Sequence, residues 1–106
     1  MSKLKNPETD ELFRAILSLG SVEECYLFFE DLCTIKELQA MTQRLQVARQ
    51  LRSGRNYLEV CADTGVSSAT ISRVNKCLNY GDGGYRMVLE RIGEGGMTDV
   101  GDDPDE

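Results

Sequence analysis

Between Ser67 and Lys76 the chain sets short hydroxyl and methyl side chains ahead of two cations: Ser67, Ser68, Ala69, Thr70, Ser72, Arg73 and Lys76. Hydroxyls both donate and accept hydrogen bonds, and small side chains let a backbone come close to base edges, whereas arginine and lysine pair with phosphates. Double-stranded DNA is the partner that fits this order of side chains. A helix carrying them would enter a major groove by its N-terminal end and leave its charge for the duplex backbone.

Such a helix has to be aimed, and the surrounding segment Tyr57 to Asn79, YLEVCADTGVSSATISRVNKCLN, has the residues for it. Leu58 and Val60, with the small Cys61 and Ala62, make a first helix that a second can cross closely. Gly65 stands four residues after Cys61, where a tight turn leaves the first helix in a left-handed conformation that glycine adopts cheaply. Val66 is an apolar plug in the turn, and Ser67 is an N-cap for the second helix. Ile71, Val74 and Leu78 then recur at helical spacing as the buried side, opposite Ser68, Ala69, Ser72, Arg73 and Lys76. An ordinary helical hairpin would share the periodicity. It would not require the glycine, the apolar turn residue and the cap at these offsets.

The remaining chain reads as helix throughout. Asn6-Pro7 is a cap followed by proline at the first helical position, and Leu12, Phe13, Ile16 and Leu17 form an apolar face up to Gly20. Ser21 with Glu24, Thr34 with Glu37 and Asn56 with Glu59 have the spacing of capping boxes. The second of these opens a long helix to Ser53-Gly54, with Leu38, Met41, Leu45, Ala48 and Leu51 along one side. In VEECYLFFEDLC, Val22, Cys25, Tyr26, Phe28, Phe29 and Leu32 surround most of the helix, more apolar surface than a small monomer covers, which predicts an intersubunit position. After Tyr80, GDGG is a loop, and Tyr85, Val88, Leu89 and Ile92 mark a closing helix. No segment alternates as a strand does, so the fold class is all-α.

The chain has 106 residues and a net charge of −6, and the charge is unevenly placed. Residues 1–92 contain twelve basic and twelve acidic side chains, whereas residues 93–106, GEGGMTDVGDDPDE, contain six acidic and no basic ones. The predicted organisation is a helical DNA-binding domain over 1–92, with the helix-turn-helix at about 56–79, and an acidic disordered tail over 93–106. The tail serves solubility or imitates the charge of DNA. Between residues 44 and 91 eight basic residues face four acidic ones, a modest basic footprint.

Other chemistries find little support. Cys25, Cys33, Cys61 and Cys77 form no C-x-x-C pair and there is no histidine, so no zinc site or other cofactor is expected. The cysteines read as small buried residues of a reduced compartment, and a redox role would fall to Cys77. No nucleotide loop and no nucleophile with a base is present, so an enzyme is not expected. No apolar run reaches membrane-spanning length and MSKLKNPETDE lacks the apolar core of a signal peptide, which predicts a cytoplasmic protein without membrane contact.

From about Leu38 to Ile92, above all in ELQAMTQRLQVARQLRSG and TGVSSATISR, the chain resembles the Trp repressor superfamily and most of all its YerC/YecD-type branch. The resemblance implies a six-helix fold and an intertwined homodimer built from the N-terminal helices and the last helix. It also implies two helix-turn-helix heads with half-sites about one helical turn apart, as in the Trp repressor itself.

The resemblance further implies an effector pocket between the long helix and the recognition helix, over Arg44, Arg73, Val74 and Cys77. In the Trp repressor two arginines matching Arg44 and Arg73 grip the amino-acid corepressor. Here Val74 replaces a glycine and Cys77 a serine, which shrinks or depolarises the pocket and favours reading both arginines as phosphate-facing or solvated. Leu58 and Cys61 stand where that repressor has basic residues, so contacts made there do not transfer.

The expected function is a sequence-specific DNA-binding transcriptional regulator, a repressor that does not depend on tryptophan. The alternatives are a helix-turn-helix protein-interaction module without specific DNA binding and a repressor that responds to a small amino-acid-like effector.

Overall fold

The computed structural model describes residues 3–93. Among them are six α-helices and no strand: α1 (Pro7–Leu17), α2 (Val22–Leu32), α3 (Ile35–Arg52), α4 (Tyr57–Thr64), α5 (Ser68–Tyr80) and α6 (Gly84–Ile92). The all-α class and the six-helix order expected from the resemblance are those observed. No helix among the described residues is long and apolar enough to cross a membrane. Residues 94–106, which hold all but the first position of the expected acidic tail, lie outside the described residues.

The chain divides into two compact units, Met1–Leu38 and Gln39–Glu106, with the boundary inside α3. In the first unit the local signals act as their chemistry demands. Asn6 accepts a 2.7 Å hydrogen bond from the Thr9 N–H, with Pro7 in the first turn, where a missing N–H costs nothing. Thr34 and Glu37 close a complete capping box, each side chain accepting from the other's N–H at 3.0 and 2.8 Å. The box expected at Ser21 closes differently. Ser21 accepts from the Glu24 N–H, but the Glu24 carboxylate reaches the N–H of Gly20, one residue before the cap.

None of the described residues of Met1–Leu38 is buried. Phe13, Leu17, Val22, Tyr26 and Leu27 are all exposed, and Phe28 and Phe29 make an edge-to-face pair with ring centroids 5.7 Å apart. This unit has apolar faces and no interior.

The second unit has the interior. Val47 and Ala48 of α3, Val60 of α4, Ile71, Val74 and Leu78 of α5, and Leu89 of α6 form one buried cluster, edged by Leu45, Leu51, Cys61, Val66 and Tyr85. Helix α4 packs on α5, and α5 on α6. Arg52 ties α3 to α6, donating to the Arg86 carbonyl at 3.4 Å and pairing with Glu90 at 3.2 Å. The side of α3 read as apolar needs correction. Val47 is fully buried whereas Met41 is exposed, because the cluster centres on Val47-Ala48 and not on a single heptad-like row. The cysteines also differ from expectation: all four are free, none is buried, and Cys25 and Cys77 are exposed.

Candidate nucleic-acid interface

Helix α4 opens on a complete capping box, Asn56 accepting from the Glu59 N–H at 2.9 Å and Glu59 from the Asn56 N–H at 3.0 Å. It closes at Gly65, whose φ of 73° and ψ of 7° are left-handed and whose N–H donates to the Cys61 carbonyl at 2.9 Å. Two side chains then hold the turn. The Thr64 hydroxyl donates to the Val60 carbonyl at 2.7 Å and accepts from the Val66 N–H at 3.3 Å, while the Cys61 thiol donates to the Val66 carbonyl at 3.3 Å. Val66 is thus pinned at both backbone groups as its side chain packs against the core.

Ser67 caps α5 through the Thr70 N–H at 3.2 Å, and its hydroxyl lies a further 3.2 Å from the Thr70 hydroxyl. Ile71, Val74 and Leu78 anchor the helix from beneath, Val74 being only 1% exposed. Ser68, Ala69, Ser72, Arg73 and Lys76 are exposed, as their helical positions require, and so face away from the core. Thr70 is half-buried and committed with Ser67 to the cap, which leaves Ser68, Ala69, Ser72, Arg73 and Lys76 as the open surface.

Tyr80, which serves in the sequence only to mark the end of the helix, is 84% exposed. It follows Lys76 by four residues and Arg73 by seven, so it extends the same face. Its hydroxyl is a further donor for a phosphate. Leu58 behaves otherwise than its apolar character suggests. At 83% exposed it lies opposite Val60 on α4 and turns away from the buried cluster.

Ion pairs decide how much charge remains available. Arg55 pairs with Asp63 and approaches Glu59 to 4.0 Å, and Arg52 takes Glu90. Three of the four carboxylates between residues 39 and 93 are therefore matched, Asp82 being the fourth. Arg44, Arg73, Lys76, Arg86 and Arg91 make no ion pair among the described residues and are all exposed. Of these five cations, Arg73 and Lys76 belong to α5 itself.

The residues of the expected effector pocket separate by exposure. Arg44, Arg73 and Cys77 are exposed, whereas Val74 belongs to the buried cluster. Among the described residues no group of three or more carboxylate or cysteine side chains is placed to hold a metal ion.

Comparison with known proteins agrees with this geometry. A family model described as Trp repressor protein matches residues 7–93. The chain is 55% identical over 94 residues to the uncharacterized protein YerC of Bacillus subtilis, covering 89% of this chain and 90% of that one. The crystal structure of a TrpR-like protein from Eubacterium eligens superposes with a TM-score of 0.82 at 53% identity, over 85% of this chain and 93% of that one. That of a candidate Trp repressor from Staphylococcus aureus does so with a TM-score of 0.82 at 49% identity, over 85% and 90%.

Proposed function

Because the chain belongs to the Trp repressor family, a family of DNA-binding regulators, we propose that it is a sequence-specific DNA-binding transcriptional regulator acting as a homodimer. The observation that carries this is the outer face of α5. Small polar residues precede Arg73 and Lys76 on a helix held from below by Ile71, Val74 and Leu78, and three of the four carboxylates between residues 39 and 93 are occupied by arginines elsewhere. The N-terminal part of α5 approaches base edges, and Arg73, Lys76 and Tyr80 contact phosphates.

The exposed apolar side chains of Met1–Leu38 support the dimer, since a segment that buries nothing of its own needs a second surface to stay ordered. A second copy of the chain brings the same faces and, with them, a second head. The protein works in the cytoplasm on double-stranded DNA and represses by occupying its site.

Tryptophan does not gate this binding. Val74 fills with a branched side chain the place that the resemblance leaves open for a corepressor, and it fixes α5 from the core without a ligand. Exposed Arg44 and Arg73, free of ion pairs among the described residues, favour one second reading: an effector with a small carboxylate, held at the rim of that filled space.

In vitro selection on random duplex DNA at fixed salt tests the proposal. Two-fold symmetric sites with half-sites about one helical turn apart are expected. Weak, salt-dependent retention of every duplex alike would point instead to a protein-interaction module that has kept the helix-turn-helix.

A further inference from the structure

From the unmatched cations of the second unit and the acids that follow it, we infer that residues 94–106 seat on the cationic outer face of α5, where they compete with nucleic acid. Arg73 and Lys76 stand on that face without an anionic partner among the described residues, and Arg44, Arg86 and Arg91 add positive charge to the same unit. The chain leaves α6 at Gly93, and α6 packs directly on α5. Beyond that point come Glu94, Asp99, Asp102, Asp103, Asp105 and Glu106, with no lysine or arginine among them.

Reach and charge both suit this occupant. Thirteen residues span up to about 40 Å when extended. A unit of this size has a radius of gyration of roughly 10 Å, so no part of its surface is beyond the segment. Tethering supplies the acids at an effective concentration of about millimolar, which a free peptide would not reach in the cell. Clustered carboxylates interrupted by glycine and proline present to Arg73 and Lys76 the charge that a run of phosphates would, and ordinary salt screens the contact strongly. The effect on DNA rests on the function proposed above; the contact itself does not.

Lys76 is the single lysine between residues 39 and 106, which gives the contact a chemical handle. A zero-length carbodiimide cross-linker applied to the full chain without DNA joins a lysine amine to a carboxylate it already touches. Peptide mapping is expected to find Lys76 linked to the acids of residues 94–106 at low salt and to lose the link at about 0.5 M salt. Lys76 linked to no residue beyond Gly93, or linked no more often than Lys3 and Lys36 are, would overturn the inference.

Equilibrium binding to random duplex is then compared between the wild-type chain and a variant carrying Glu94→Gln, Asp99→Asn, Asp102→Asn, Asp103→Asn, Asp105→Asn and Glu106→Gln. The variant is expected to bind on the order of threefold more tightly at low salt and equally at high salt. If the cross-link forms and neither protein binds DNA, the contact stands and the failure belongs to the DNA-binding assignment. If both bind DNA with equal affinity at low salt, the competition is refuted.

Discussion

The Cys61 thiol and the Val66 carbonyl meet at 3.3 Å across the bend that joins α4 to α5. The contact holds the turn from inside, where Cys61 is half-buried at the edge of the core cluster. Cys61→Leu is expected to destabilise the protein by about 1–3 kcal/mol through overpacking, and Cys61→Ser, which keeps a donor at nearly the same place, by distinctly less. Chemical denaturation of the two variants checks the order; equal losses would mean that the thiol's position carries no constraint.

Gly65 has the φ of a left-handed residue, and a Cβ added to it would meet no atom within 4 Å. The cost of replacing it is therefore conformational and not steric. Gly65→Ala should lose about 1–2 kcal/mol, while Gly65→Asn, whose side chain tolerates this region, should lose less. If asparagine proves as damaging as alanine, some contact of the turn other than its backbone conformation is at stake.

Arg73→Ala, Lys76→Ala and Tyr80→Ala change exposed side chains and should leave the melting temperature nearly unmoved while weakening DNA binding. If Lys76 contacts a phosphate, its removal lowers the salt slope by about one unit per subunit. Titrations of a selected site at several salt concentrations separate the three. Wild-type affinity in every variant would move the interface away from α5.

Val74 joins the recognition helix to the core, so Val74→Ala should cost about 2 kcal/mol from the lost methyl groups and the cavity they leave. The wild-type protein should show no heat of binding with millimolar tryptophan, because admitting an indole ring beside Val74 overfills the site by about 1–3 kcal/mol, roughly a tenfold to hundredfold loss of affinity. Val74→Gly reopens that space and should make DNA retention respond to tryptophan. Tryptophan-dependent retention by the wild-type protein would refute effector-independent binding.

Leu17, Val22 and Leu27 are at least two-thirds exposed within one chain. Sedimentation at micromolar concentration should find a dimer, and Leu27→Asp should shift it toward an unstable monomer by placing a charge in an apolar contact. A folded wild-type monomer at that concentration would end the dimer proposal.

What the amino-acid order discloses best is local. Asn6-Pro7, Thr34/Glu37, Asn56/Glu59, Gly65 and Ser67 act within three or four residues of themselves, so their caps and turns could be placed without knowing the fold. The buried stripe Ile71, Val74, Leu78 is legible for the same reason. Contacts between elements were less so. Val47 is hidden because several elements converge on its part of α3, which widens the buried face past one periodic row. Leu58 looks like a packing residue by type, yet its place opposite Val60 turns it outward. The pairing of Arg55 with Asp63, which removes an acid from α4, depends on how the chain leaves α3, and Tyr80 matters only once α5 is known to run through it.

Among the described residues of the second unit the buried cluster is drawn from positions between Val47 and Leu89, and most of the contacts that close it, those of α4 with α5 and of α5 with α6 above all, join helices adjacent in sequence. Helical units with such local contacts form in microseconds to milliseconds, ahead of any encounter between two dilute chains. Refolding should therefore show a fast phase insensitive to protein concentration, followed by a slower second-order phase as the segments of Met1–Leu38 find each other. A newly made chain would have its α4–α5 head built before it has met a partner, and pairing would come last, ordering the segments of Met1–Leu38 against each other.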